Sequence, residues 1–174
     1  DIKKAKELLV EAGYADGFEM TITVPSNYQF HVDTTQVIVE QLKQVGISAK
    51  IELVEWSTWL NDVYIGRNYQ STVIGLDAEL APKALLKRYG SEAADNFVNF
   101  SNDEYDEVLE SAIASISDEE KITCYTRLQE ILVEEAASVF IQDPALLVSV
   151  NKDLKGYTFY PVYVQDMSKL YFVK

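Results

Sequence analysis

The chain is 174 residues long, and its 28 acidic residues outnumber its 15 basic ones, so the formal net charge is −13. This charge argues against a nucleic-acid partner, because it would be repelled by a phosphate backbone. No apolar run approaches the ~20 residues of a membrane-spanning helix, and one histidine with one cysteine excludes a tetrahedral zinc centre built by this chain. We therefore expect a globular chain with no nucleic-acid partner, no metal and no cofactor.

Helical and strand patterns alternate through the first half of the chain. They predict helices over residues 1–12, 33–46 and 56–66 and strands over residues 18–24, 47–54 and 72–76. Asp33 is the predicted N-cap of the second helix, which leaves His31 in the polar loop before it. The alternation predicts βαβ units and a largely parallel sheet covered by helices.

The second half of the chain is predicted to be mostly helical. A helix opens at Pro82, and two Ser-x-x-Glu capping boxes, which begin at Ser101 and Ser117, predict two longer helices. Residues 145–150 have the pattern of an antiparallel or edge strand. From Gly156 onward the tail is rich in aromatic residues, which predicts that it packs on a partner surface.

A candidate ligand site follows the third predicted strand, in the stretch from Ser71 to Pro82. Asp77 and Glu79 lie just beyond the strand, and Trp56 directly follows the second strand. Ligands of open α/β sheets bind at the carboxyl ends of the strands, so these three residues are candidates for binding. Trp59, in contrast, shares a helical stripe with apolar residues and is predicted to pack inside the protein.

Two other interpretations of the acidic pair remain open at this point. Asp77 and Glu79 can solvate a loop and stabilise the start of the next helix, or they can act as the paired carboxylates of a small glycosidase. The glycosidase is the weaker alternative because no second element of a sugar site is present. The chain also has no glycine-rich phosphate loop and no Gly-x-Ser-x-Gly motif, so neither nucleotide binding nor a serine nucleophile is supported.

Several segments match landmarks of one known family. They are residues 4–14 (KAKELLVEAGY), 17–19 (GFE), 41–47 (QLKQVGI), 55–56 (EW), Gly75, 105–106 (YD), 155–157 (KGY) and 170–171 (LY). The sequence thereby resembles the family 5 extracellular solute-binding proteins, the dipeptide, oligopeptide and nickel receptors of ABC importers. The similarity runs over essentially the whole chain and is specific for the family rather than for the substrate.

The resemblance implies an α/β, periplasmic-binding-protein-like lobe of type II, with a mixed, mostly parallel sheet flanked by helices. Residues 1–155 would be a C-terminal ligand-binding lobe that is incomplete at its N-terminus, and residues 156–174 a tail that returns to an absent N-terminal lobe. The implied function is capture of an oligopeptide or dipeptide between two lobes for an ABC permease. The implied location is extracytoplasmic, in the periplasm or as a cell-surface lipoprotein anchored through a segment absent from this chain.

The resemblance also assigns residues to the ligand site. Trp56 falls on a tryptophan that lines side-chain pockets in the family, and Glu79 falls on the acid that binds the α-ammonium of a peptide. Leu76 stands where the family usually has tryptophan, and Glu79 where aspartate is usual, so the pocket shape and ligand class stay open. The alternatives are a ligand-sensing domain of a regulator, or the same receptor fold for a nickel chelate or an oligosaccharide. The complete predicted set is Trp56, Gly75, Leu76, Asp77, Ala78 and Glu79.

Overall fold

The computed structural model describes residues 1–77, 79–143, 147–160 and 164–173. The chain divides into two compact units, Asp1–Leu76 and Asp77–Lys174, which are described in turn. The boundary that the sequence predicts between residues 155 and 156 stays a prediction.

The first unit alternates helices and strands in the predicted order. Its elements are α1 (Ile2–Glu11), β1 (Glu19–Pro25), α2 (Gln29–Lys43), β2 (Ser48–Val54), α3 (Trp56–Thr58), a π-helix (Trp59–Ile65) that continues α3, and β3 (Ser71–Thr72). The three strands form a parallel sheet in the order β2-β1-β3. The predicted α/β class and parallel pairing are confirmed.

The core of the first unit lies between the central strand and α2. Ile22 and Val24 of β1 pack with Val32 and Val39 of α2, and all four are buried. β1 is the middle strand, so both of its edges are hydrogen-bonded and its apolar side chains are covered. This core fixes the carboxyl end of the sheet, from which three loops emerge.

Helix α2 begins earlier than the sequence predicts. Tyr28, not Asp33, occupies its N-cap position. The first turn gains a hydrogen bond from the Gln29 side chain to Asp33 (Nε2 to Oδ1, 2.8 Å), and the early start buries His31 and Val32. Placing His31 in a polar surface loop was therefore wrong: the residue is helical, and only 5% of its surface is exposed.

Strand β3 is shorter than the predicted strand. Only Ser71 and Thr72 pair with β1, and residues 73–76 leave the ladder. In this segment the backbone N–H of Gly75 donates to the Nε2 of His31 (3.1 Å), a side chain of α2, rather than to a neighbouring strand.

The second unit is built on three helices and a small antiparallel sheet. Its elements are α4 (Pro82–Leu86), which continues as a 3₁₀ turn (Lys87–Tyr89), α5 (Asp103–Ala114), α6 (Asp118–Glu134), β4 (Leu154–Lys155), a second 3₁₀ turn (Met167–Lys169) and β5 (Tyr171–Phe172). β4 and β5 pair antiparallel, so the end of the tail lies beside residues 154–155. The predicted strand over 145–150 is wrong for its described part, because residues 147–150 form no strand; residues 145 and 146 lie outside the described residues.

A buried cluster joins the helices of the second unit. Its members come from α4 and its 3₁₀ extension, from α5 and from α6, and they are Leu86, Tyr89, Tyr105, Leu109, Leu128, Ile131 and Leu132. At the opening of α6, Ser117 is the predicted N-cap and accepts from the backbone N–H of Glu120. The Glu120 carboxylate accepts from the Ser115 hydroxyl (2.6 Å), so the second half of the predicted capping box differs. The opening of α5 differs by one residue: Asn102, not Ser101, is the N-cap. Among the helices that the structure describes, none is both long and apolar enough to cross a bilayer.

Candidate functional site

The candidate site of the first unit is formed by the loops that follow its three strands. Tyr28 comes three residues after β1, Trp56 two residues after β2, and Gly75 three residues after β3. The strands are parallel, so their carboxyl ends lie at one edge of the sheet. This edge is where the sequence predicts a ligand site.

Aromatic rings form a continuous cluster at this edge. Trp56 stacks on Trp59 with ring centroids 5.2 Å apart and planes 6° from parallel, and Tyr28 makes a T-shaped contact with Trp56, with ring centroids 5.4 Å apart. The ring of Tyr28 also contacts His31, again at 5.4 Å. The half-buried Trp56 is thus in contact with both Trp59 and Tyr28, while part of its surface remains accessible.

Trp59 anchors this cluster to the sheet. The ring is buried, as predicted, and its Nε1 donates to the Thr72 hydroxyl (3.0 Å), which donates to the backbone oxygen of Thr23 (2.6 Å). The segment from Trp59 to Ile65 is π-helical, and its last bond runs from Gly66 N–H to the oxygen of Asn61, five residues back (2.8 Å). Single π-helical turns are frequent at functional sites.

His31 connects the aromatic cluster to the third loop. Its Nε2 accepts the Gly75 N–H, and a Cβ added at Gly75 would approach the ring Cε1 to 3.2 Å. Burial lowers the pKa of His31 below its ordinary value of 6.5. The ring is therefore neutral at pH 7, and the proton it keeps is on Nδ1.

The remaining predicted residues follow Gly75 along the chain. Gly75 and Leu76 are exposed at the end of the first unit, and Asp77 is exposed at the start of the second. Ala78 lies outside the described residues. Within the described part of the chain, the side chains of Leu76 and Asp77 make no hydrogen bond or ion pair that would indicate a role. Their roles stay predictions.

Glu79 is part of a charged group within the second unit. Its Oε1 lies 3.8 Å from Nη2 of Arg88, whose Nε lies 3.6 Å from Oδ2 of Asp95. The Nε of Arg88 is buried and has no hydrogen-bond partner among the described residues. Both contacts are ion pairs longer than hydrogen bonds, so a guanidinium stands between two carboxylates without a hydrogen bond to either through these atoms.

The structure brings two of the predicted residues into clusters that the sequence did not reveal. Trp56 joins Tyr28 and Trp59, and Gly75 joins His31. Sequence reasoning missed Tyr28 and Arg88, and it placed His31 wrongly. Only the position of Tyr28, just after an apolar strand, could have indicated its role. Within the described ranges, no three metal-ligating side chains come together.

Comparison with known proteins places the sequence in a family. Residues 1–97 match the family described as bacterial extracellular solute-binding proteins, family 5 Middle. The oligopeptide-binding protein AppA of Bacillus subtilis is 26% identical over 175 residues, covering 91% of this chain and 32% of AppA. The glutathione-binding protein GsiB of Salmonella choleraesuis is 29% identical, covering 92% of this chain and 33% of GsiB. The chain thus spans about a third of the length of these relatives.

Solved structures show the same relationship. The ABC transporter-associated periplasmic binding protein DppA from Helicobacter pylori, in complex with the peptide STSA, superimposes with a TM-score of 0.84 at 27% identity, covering 100% of this chain and 35% of DppA. AppA from Bacillus subtilis, in complex with a nonapeptide, shares the fold with a TM-score of 0.80 at 23% identity, covering 99% of this chain and 37% of AppA. The chain belongs to the family 5 bacterial extracellular solute-binding proteins.

Proposed function

We propose that this chain is the ligand-binding part of the substrate-binding component of an ABC importer, and that its ligands are peptide-like. The observation that carries the proposal is the family match over residues 1–97, joined to a fold shared at 27% identity with a periplasmic binding protein that holds a tetrapeptide. The expected mechanism is closure of two lobes around the ligand, without catalysis. Peptides held in such clefts by main-chain hydrogen bonds are bound with broad sequence tolerance.

Trp56 is proposed to contact the side chains of the ligand. The stacking of Trp59 and the edge contact of Tyr28 restrict the ring's rotation, and the ring keeps an accessible part. A ring that is already ordered loses little side-chain entropy on binding, so little of the free energy of apolar contact is offset by the cost of ordering the ring. Gly75 and Leu76, which follow β3, are proposed to contribute backbone and side-chain contacts beside it.

Glu79 is proposed to bind the positive end of the ligand. The carboxylate is 39% exposed, and with Asp95 it forms a pair of acids around the single cation Arg88, so the group keeps a net negative charge. An ammonium can form a charge-assisted hydrogen bond to the exposed carboxylate oxygen. Asp77 and Ala78 complete the proposed ligand set by their position between Leu76 and Glu79.

The proposal extends to parts that this chain does not include. Residues 1–155 would belong to the C-terminal lobe, and residues 156–174 would return to the N-terminal lobe. The partner would be an ABC permease in the membrane, and the location extracytoplasmic, in the periplasm or on the cell surface as a lipoprotein. All of these assignments follow the family to which the chain belongs.

Native mass spectrometry of the complete receptor, as purified, tests the ligand class. We expect a series of peptide masses bound to the protein, because a cleft that holds peptides through their main chain accepts many sequences. A single mass of a metal chelate or of a sugar would contradict the peptide assignment.

The Glu79→Gln variant tests the ammonium contact. Loss of the charge should weaken binding of a peptide with a free N-terminus about 10- to 100-fold, the range for a hydrogen bond to a charged group, as measured by isothermal titration calorimetry on the complete receptor. Glu110→Gln, an exposed substitution on α5, is the matched control and should bind normally. An N-acetylated peptide should bind wild type and Glu79→Gln equally; if the variant weakens both peptides alike, Glu79 does not bind the ammonium.

A further inference from the structure

One buried side chain, His31, contacts two of the three loops at the candidate edge. It hydrogen-bonds the backbone of the loop after β3 through Gly75, and its ring packs against Tyr28 in the loop after β1. Tyr28 in turn contacts Trp56, which follows β2. A single imidazole is therefore connected to all three loops within the first unit.

The contact to Gly75 depends on the protonation state of the ring. An imidazole nitrogen accepts a hydrogen bond only while it carries no proton, and in the imidazolium form both ring nitrogens are donors. Protonation would place the Nε2–H and the Gly75 N–H, 3.1 Å apart between their nitrogens, in direct opposition. The Gly75 backbone must then move away from the ring.

Gly75 lies close enough to His31 for the two positions to depend on each other. The atoms nearest to a Cβ built at Gly75 are Cε1 and Nε2 of the ring, at 3.2 and 3.6 Å. Thr35 fixes the helix at this point, since its hydroxyl donates to the backbone oxygen of His31 (2.7 Å) and the residue is fully buried. The backbone of His31 is thus held by the helix, whereas Gly75 lies in an exposed loop, so we expect the loop to be the part that moves.

We propose that His31 is a positioning residue for ligand binding. Its neutral ring holds the Gly75–Leu76 backbone and, through Tyr28, supports Trp56. Protonation of the ring then releases the loop and weakens ligand binding. The proposal rests on the proposed function, because it assumes that these loops contact the ligand. It assigns to the only histidine of the chain a role in coupling affinity to pH.

The surroundings of His31 are consistent with this coupling. Among the described residues, the titratable side chain with a ring contact to His31 is that of Tyr28, and Asp33, the first acid after it on the same helix, is engaged by Gln29. From the β3 side, the contact is the uncharged backbone of Gly75. Because burial lowers the pKa of the ring below its ordinary value of 6.5, the neutral ring predominates at pH 6.5 and above, and the hold on Gly75 is lost as the pH falls through this lowered pKa.

Nuclear magnetic resonance on the full 174-residue chain tests the contact without a ligand. Nitrogen-15 labelling of histidine reports one ring, and amide signals of glycines that follow isoleucine report two residues, Gly66 and Gly75. We expect an unprotonated Nε2 at pH 7.5, and a Gly75 amide shift that changes on acidification with the same midpoint as the ring. Gly66, whose N–H is bonded to Asn61, is the internal control and should not follow that midpoint. A proton on Nε2 at pH 7.5, or a Gly75 shift independent of the ring, would overturn the proposal.

Two variants of the complete receptor test the effect on binding. The probe is the tetrapeptide Ser-Thr-Ser-Ala, the peptide bound to the Helicobacter pylori relative. His31→Leu removes the acceptor and should weaken binding about 2- to 10-fold at pH 7.5, the range for one hydrogen bond. His31→Gln keeps an acceptor oxygen that does not titrate, so it should bind like wild type at pH 7.5 and lose the additional weakening that wild type shows at pH 5.5.

The outcomes separate this proposal from the proposed function. If the wild-type receptor does not bind the tetrapeptide and carries no peptides, the proposed ligand class fails, whereas the resonance experiment still decides whether His31 holds Gly75. If wild type binds the tetrapeptide and His31→Leu binds it as tightly as wild type at both pH 7.5 and pH 5.5, the positioning role is wrong even though the receptor function stands. A loss of binding in His31→Gln equal to that in His31→Leu would indicate a purely structural role for the ring.

Discussion

At the level of single residues, Tyr105 is the most completely enclosed polar side chain of the second unit. Its surface is 0% exposed, and its hydroxyl donates to the backbone oxygen of Leu86 at 2.7 Å. Burial raises the pKa of the hydroxyl well above its usual value, which keeps the proton on the oxygen. The side chain thereby joins α5 to α4 by packing and by one hydrogen bond.

The Tyr105→Phe variant should destabilise the protein by about 1–2 kcal/mol, because it leaves the Leu86 carbonyl without this donor while the ring still fills its space. Urea unfolding should show a lower midpoint with an unchanged slope. Tyr14→Phe, in a half-exposed ring, is the control and should shift the free energy of unfolding by less than ~0.5 kcal/mol. Equal effects of the two substitutions would show that the Leu86 hydrogen bond contributes nothing.

At the level of elements, the starts of α5 and α6 are set by N-capping residues, and charged side chains pair between the two helices. Arg127 of α6 donates to Glu104 of α5 (2.7 Å) and to Glu134 on its own helix (3.0 Å). The hydrogen bond from Arg127 holds the pKa of Glu104 below its ordinary value. These side chains are exposed to solvent, so the ion pairs orient the two helices more than they stabilise them.

The N-cap of α5 provides a direct test, because a neighbouring residue was the predicted cap. Asn102→Ala should destabilise the protein by about 1 kcal/mol, since the N–H of Tyr105 loses its bond to the Asn102 side chain (2.8 Å). Ser101→Ala should cost less than ~0.5 kcal/mol, because among the described residues its hydroxyl accepts only an exposed hydrogen bond from the Ser91 hydroxyl. Thermal unfolding of both variants measures the difference, and a larger loss in Ser101→Ala would show that the helix begins one residue earlier.

At the level of the whole molecule, the dominant property is negative charge. The formal charge of −13 at pH 7 arises from acids spread along the entire sequence, and the isoelectric point is about 4.4. Mutual repulsion of this size keeps chains apart in solution. It also favours the approach of a ligand with a positive end, in keeping with the proposed role of Glu79.

The 174-residue chain should therefore be least soluble near pH 4.4, where the net charge vanishes. Light scattering across pH 3 to 8 should show one maximum there, with clear solutions on both sides at low salt. Scattering that rises steadily down to pH 3 would instead indicate that unfolding in acid, and not loss of charge, controls association. Circular dichroism at each pH distinguishes the two cases.

Most of the fold could be predicted from the sequence because it depends on local patterns. Periodic apolar residues located α1, β1 and β2 to within a residue or two, and capping residues located α5 and α6. The order of these elements predicted the parallel α/β sheet. The sequence also singled out Trp56 and the stretch after β3, because both follow strands and both fall on positions that the family resemblance assigns to the ligand site.

Only the tertiary structure decided how the candidate residues are held. His31 and Gly75 are 44 residues apart in sequence, and their hydrogen bond accompanies the early end of β3 and the start of α2 before Asp33. Neither the early end of β3 nor the early start of α2 can be predicted from the spacing of apolar residues. Periodicity and capping arise within a few residues of chain, whereas burial of a neutral imidazole against a distant backbone arises only when the sheet has formed.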